Sequence, residues 1–238
     1  MRLFAHIAVV VIVLAVAAVT VRAAETAPHW PRVFCADPHA LADAKASLAD
    51  GDSKFKPALQ QLLTEPKRSL AMKPVSVMDK SQVPPSGNKH DFVSQAPYFW
   101  RDTNSPGVKY IHRDGRRNPE SGKDSDAGNL GKVCANAHTL ALAFYFTGEE
   151  KYAAKATEII RVWFLNPATR MNPNLNYGQG IPDEVEGRPE GLISAWGLVG
   201  LMDAIGLLGG SKSWTPDDQR AMTGWVGRYF EWLTTNQL

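Results

Sequence analysis

Apolar residues recur at helical spacing in several blocks of the chain, and between those blocks the recurrence stops. After Asp37-Pro38, an N-cap followed by a first-turn proline, Leu41, Ala44, Leu48 and Ala49 keep to one side of a helix that Gly51 ends. A second helix starts near Lys56, carries Leu59, Leu62 and Leu63, and stops at Pro66, so the two are expected to form a helical hairpin. Residues 136–146 are strongly apolar and close on Thr147-Gly148. Glu149-Glu150-Lys151 then opens a helix whose stripe is Tyr152, Ala153, Ala156, Ile159, Ile160, Trp163 and Phe164, up to Asn166-Pro167. A buried-type helix over residues 192–208 stops at Gly209-Gly210. Thr215-Pro216-Asp217-Asp218 caps a last helix with Met222, Trp225, Tyr229, Trp232 and Leu233 on one face.

Residues 72–131 break this pattern. Pro74, Pro84-Pro85, Pro97, Pro106-Gly107 and Asp114-Gly115 interrupt any long element, and roughly sixty residues without periodicity exceed an ordinary connection, which marks a functional loop region. Residues 168–191 form a second irregular stretch. No run of alternating residues predicts a strand. The expected class is therefore all-α: paired helices forming part of an α/α toroid, an incomplete ring of helical hairpins whose long loops line a cleft. A TPR-like solenoid competes, but no repeat length recurs.

The first 23 residues stand apart. Arg2 precedes an apolar run, and Val21-Arg22-Ala23 supplies small residues around a cleavage point, so residues 1–23 read as a signal peptide and residues 24–238 as the domain. An uncleaved anchor helix is the alternative. Cleavage implies a periplasmic or secreted protein with no stable membrane insertion. Removing Arg2 and Arg22 from the 26 basic residues leaves 24 against 24 acidic ones. A near-neutral chain whose one dense basic patch, His112 to Arg117, has acids alongside is not expected to bind nucleic acid. The two cysteines, Cys35 and Cys134, lack the spacing of a metal or redox pair, and a disulfide or two free thiols both fit.

Chemistry is first bounded by what is missing: no phosphate-cradling glycine loop, no His-Glu-x-x-His and no Gly-x-Ser-x-Gly occur. No metal or other cofactor is expected. The irregular stretches concentrate aromatics, arginines and amides. Aromatic faces pack on sugar rings, amides bond hydroxyls, and arginine forks grip carboxylates, so the combination points to an acidic polysaccharide. Tyr98, Trp100, Arg113, Arg117, Tyr177, Gln179 and Arg188 are the candidate binding residues. Each has an ordinary structural alternative: rings covering the rim of the core, arginines tied to Asp102, Asp114 or Glu120, and asparagines forming turns. Asn136 reads as a helix cap, and His138, in the first turn, as a neutral histidine that is either structural or an acid–base group. The loop carboxylates Asp102, Glu120, Asp183, Glu184, Glu186 and Glu190 keep an α/α-barrel glycoside hydrolase as an alternative.

The segments VSQAPYFWRDTNSPGVKYIHRDGRRNPES and NAHTLALAFYFTGEEKYAAKATEIIRVWFLNPATRMNPNLNYGQGIP resemble, in order and spacing, the N-terminal half of the alginate lyase-like polysaccharide lyases, over about residues 24–238. The resemblance implies a secreted or periplasmic α/α toroid that cleaves a uronic-acid polymer, of alginate or glucuronan type, by β-elimination without an obligatory metal. It also implies that the family's Asn-His pair, arginine and tyrosine lie beyond Leu238, so that the toroid is truncated: the binding residues transfer and the chemistry does not. GRPEGLISAWG departs from the Asp-containing helix start of the family. Within these residues, Tyr177 or His138 is the fallback acid or base. A non-catalytic carbohydrate-binding helical protein is the alternative function. An open toroid is further expected to expose an apolar flank at Trp225, Tyr229 and Trp232.

Overall fold

Asp37 caps the first helix as expected, its carboxylate accepting from the His39 and Ala40 amides, and α1 runs Pro38–Ala49. The computed structural model describes residues 30–236 apart from Ser105, Val108 and Asp124. The signal segment expected over residues 1–23 lies outside the described residues. Helix α2 spans Lys56–Leu62 and α3 spans Glu65–Ala71. Pro66 does not simply end a helix; it sits in the first turn of α3, where an absent N–H leaves no bond unmade.

Helix α4 spans Asp126–Thr147, starting well before its apolar run. Ser125 is the N-cap, so Asn136 and His138 lie in mid-helix: Asn136 does not cap the helix and His138 is not in its first turn. Gly128 and Gly131, poor helix formers, disguise this start in the sequence. Gly148, at φ 70°, closes the helix in the left-handed conformation. Helix α5 (Glu150–Ile160) runs on into a single π turn, Arg161–Leu165, closed by the Asn166 amide on the Arg161 carbonyl at 2.8 Å. A 3₁₀ segment, Pro189–Ala195, leads into α6 (Leu198–Leu208), and α7 spans Pro216–Thr235 behind a reciprocal Thr215–Asp218 capping box.

The chain is all-α in class, with short strands added where none was expected. β1 (Val93–Gln95) pairs in parallel with β4 (Tyr177–Gly180), and β2 (Phe99–Arg101) pairs antiparallel with β3 (Tyr110–His112). Strands this brief are too short for alternation to register in the sequence.

Helix α4 is the centre of the core. It packs most extensively on α6 and α5, and also on α3 and β1. Gly197 makes the α6 approach possible: a Cβ there would stand 2.9 Å from the Cys134 Cβ. Cys134 is thus buried, its thiol pushed up to about 12 by that burial, while Cys35 is exposed; both are free thiols. Trp225 stacks on Tyr229 at 5.5 Å and takes the edge of Phe164 at 4.8 Å, and is only 1% exposed. Its indole donates to the Met171 carbonyl, as Trp232 does to Asn176. The apolar flank expected at Trp225, Tyr229 and Trp232 is therefore turned inward to hold the segment before β4. Phe230 and Leu233 are the α7 apolar residues left outside.

A few buried charges fix the irregular segments. The Lys80 ammonium lies 3.0 Å from the Asp126 carboxylate, both side chains essentially without solvent, and also donates to the Val77 and Lys89 carbonyls at 2.7 Å. Burial pulls the Lys80 ammonium below its usual range, against the attraction of Asp126. Asp203 on α6 receives the amides of Phe34, Cys35 and Ala36, which outweigh its burial and keep its carboxyl below the usual range. For Asp218, burial is opposed by the Arg161 fork and by the Thr215 hydroxyl and amide, which bring it down to about 2.

Removing one partner of the buried pair strands the other charge. Lys80→Met is expected to cost about 3–5 kcal/mol in urea unfolding, with much of the loss recovered in Lys80→Met/Asp126→Asn; a single-variant cost below about 1 kcal/mol would show that the pair ties nothing. The depressed Asp218 carboxyl stabilises the fold above its unfolded value, near 3.8, and that stability is lost as pH falls through about 2. Asp218→Asn should be about 1–2 kcal/mol less stable at neutral pH and show a flatter decline over that acid window. An unchanged acid profile would rule out Asp218 as its source.

Candidate functional site

The Asp126 carboxylate that pairs with Lys80 also accepts the Val93 amide at 2.9 Å, which hangs β1 on the N-terminus of α4. Strand β4 then lies beside β1 with Val93 opposite Tyr177 and Gln95 opposite Gly180, so β4 spends one more residue than its partner. Gln179 absorbs the surplus in the left-handed region, at φ 49°, a conformation costing a non-glycine residue about 1–3 kcal/mol. Its amide is held by the Ser94 hydroxyl at 2.9 Å, and the Ala96 amide donates to the Gly180 carbonyl. Gly178 admits Gly191 against it, since a Cβ on Gly178 would stand 2.9 Å from the Gly191 Cα. That close approach brings Arg188 and Glu190 beside β1.

The β2–β3 hairpin closes the opposite side. Phe99 pairs with His112 and Trp100 with Ile111. Alternation therefore puts Phe99 and His112 together on one face, rings 5.1 Å apart, and Trp100 on the reverse. Asn118, buried, pins the hairpin by donating to the Phe99 carbonyl and accepting the Glu120 amide, while its own amide bonds Pro97. Tyr98, in the turn before β2, reaches in from the rim.

Between these elements lies a cavity of about 460 Å³, within the range of small-ligand sites. Of the residues expected in a binding site, Tyr98, Arg117, Gln179 and Arg188 line it. Trp100 and Arg113 do not. They occupy the outer face of the hairpin, with the Arg113 guanidinium 5.3 Å above the Trp100 ring and the indole N–H donating to the Arg116 carbonyl. Tyr177 is half-buried in β4 and is not on the wall. Nor is His138, which sits at the α4–α6 contact beside Gly200, its imidazole pulled below its usual range by burial, against the attraction of Asp203, rather than by a helix end. The amides of Asn172 and Asn174 are spent on the buried Asp91.

Several wall residues escaped the sequence reading. Phe99 is one, turned inward by strand parity. His112, Gln95 and Ser94 are others. Their signal was available only as an alternation too short to trust. Charge on the wall is basic on balance. Arg188 is paired with Glu190 at 2.6 Å and lies 5.0 Å over the Phe99 ring, whereas Arg117 has no ion-pair partner among the described residues. Glu190 is the one carboxylate lining the cavity among them. No group of three or more His, Cys, Asp or Glu suited to a metal occurs among the described residues. Across β1 a second depression, about 570 Å³, shares Ser94, Gln95 and Ser125 with the first but is lined by Asp183, Glu184 and Glu186.

The alginate lyase family model matches residues 76–238. Among solved structures, an alginate lyase from Bacteroides ovatus is 40% identical with a TM-score of 0.81, the match covering 87% of this chain and 54% of that one. The chain thus spans about half the length of that relative. A search of curated proteins finds no match. The matched residues take in the hairpin, β1 and β4 that wall the cavity as well as helices α4 to α7, and on that extent the chain belongs to the alginate lyase family.

Proposed function

We propose that this chain forms the substrate-binding part of a polysaccharide lyase that acts on a uronic-acid polymer, of alginate or glucuronan type, by β-elimination, within an α/α toroid. The observation that carries the reading is Arg117, without an ion-pair partner among the described residues, on the wall of a cavity that Tyr98, Phe99 and His112 also line. A uronate carboxylate pairs with Arg117, its ring rests on Tyr98 and Phe99, and its hydroxyls meet the amides of Gln179 and Gln95. In such a reaction a base removes the C5 proton, the electron pair forms the C4–C5 double bond, and the C4–O bond breaks as the leaving oxygen takes a proton. Neutralising the carboxylate lowers the barrier to the first of these steps. A periplasmic or secreted location suits a polymer too large to enter a cell.

Proton transfer falls to groups other than the two fallback candidates, because neither Tyr177 nor His138 reaches the cavity. The same observation favours a second reading, carbohydrate binding without turnover. The hydrolase alternative loses ground: hydrolysis needs two carboxylates across the cleft, and Glu190 is committed to Arg188.

Titrating the chain with oligoglucuronates and oligomannuronates, while following absorbance of the unsaturated product, separates the readings. Arg117→Ala should weaken binding about tenfold or more, with the effect shrinking as salt is raised. Trp100→Ala and His138→Ala should leave binding nearly unchanged. Product formation favours the lyase, and tight binding without product favours the binding module. Oligouronate affinity indifferent to Arg117→Ala would sink both.

A further inference from the structure

The wall of the cavity does not end at its rim. Ile193, on the 3₁₀ segment, lines the cavity, yet it is also 69% exposed. The Trp196 amide donates to the Ile193 carbonyl and the Val199 amide to the Trp196 carbonyl, both at 3.3 Å, so the i to i+3 pattern continues past the formal end of the segment. In that pattern residues three apart eclipse, and each step advances about 6 Å. Ile193, Trp196 and Val199 therefore stand in one row that starts inside the cavity and leaves it. The opposite side of the same turns is committed to α4, where Gly197 faces Cys134 and Gly200 faces His138.

Trp196 is 82% exposed and Val199 46%. The indole has no hydrogen bond or ring contact among the described residues, unlike Trp100, Trp225 and Trp232, each held by a carbonyl or amide oxygen. A large exposed ring, one turn from a residue already on the wall, offers a flat apolar face to whatever extends out of the cavity.

We propose that Trp196 is a sugar-stacking platform that adds a binding subsite to the cavity, taking the pyranose ring next to the uronates held inside. This rests on the cavity binding oligouronates. The ring binds through its C–H face, so the subsite contributes length dependence without demanding a carboxylate.

Affinities for a glucuronate disaccharide and for longer oligoglucuronates, measured by calorimetry on the whole chain, test it. Wild type should bind the longer oligomers about tenfold more tightly than the disaccharide. Trp196→Ala should erase that gain and leave disaccharide affinity intact, and Trp196→Tyr should keep most of it. Sedimentation velocity of wild type and Trp196→Ala accompanies the titration. A length-dependent gain that survives Trp196→Ala overturns the proposal, as does a Trp196-dependent self-association with no effect on sugar binding. A disaccharide that binds with no gain on lengthening overturns this subsite alone, whereas no binding of any oligouronate overturns the uronate reading beneath it.

Discussion

The buried ion pair between Lys80 and Asp126 is the constraint from which the site is built. The segment between α3 and α4 lacks the repeating backbone bonds that hold a helix in place, so a few groups must fix it. The Lys80 ammonium collects the Val77 and Lys89 carbonyls, and the Asp126 carboxylate takes the Val93 amide. One pair thereby locates both ends of a loop and the first residue of β1 on the helix at the centre of the core. Burial of two opposite charges is a poor source of net stability, but the geometry it demands is specific, because any displacement leaves a charge without its partner. Position is what the pair contributes here.

From β1 the cavity follows by a short chain of causes. Strand β4 takes its register from β1, Gln179 is forced into a left-handed conformation by the extra residue, and the glycine contact between residues 178 and 191 carries Arg188 and Glu190 to the wall. The tryptophans of α7 serve the same end from below, anchoring Met171 and Asn176 just ahead of β4. Asparagines that look like sugar ligands in the sequence are consumed in this scaffolding. The result is a basic, aromatic cavity set against an acidic depression across one short strand. A polyanion therefore meets attraction on one side of β1 and repulsion on the other.

Much of the fold was legible in the sequence. The Asp37 cap, the Gly148 stop, the stripe of α5 and the Thr215–Asp218 box all sit where local chemistry placed them, because caps and 3.6-residue periodicity are properties of contiguous residues. The same local logic failed at α4, whose glycine-bearing first turns are held by Asp126 and by packing rather than by propensity, and at Pro66, which opens a helix as readily as it ends one.

For the site, residue types were readable and directions were not. Sequence by itself determined that aromatics, arginines and amides would gather in two loop regions of an all-α chain, and the resemblance carried in those loops determined the family. Only the tertiary structure decided which of them meet: strand parity sent Phe99 and His112 inward and Trp100 with Arg113 outward, and the true start of α4 moved His138 from a helix end to a packed interface. The physical reason is that in a three-residue strand the face a side chain takes is set by pairing with a distant partner, and no neighbour in the sequence records that partner.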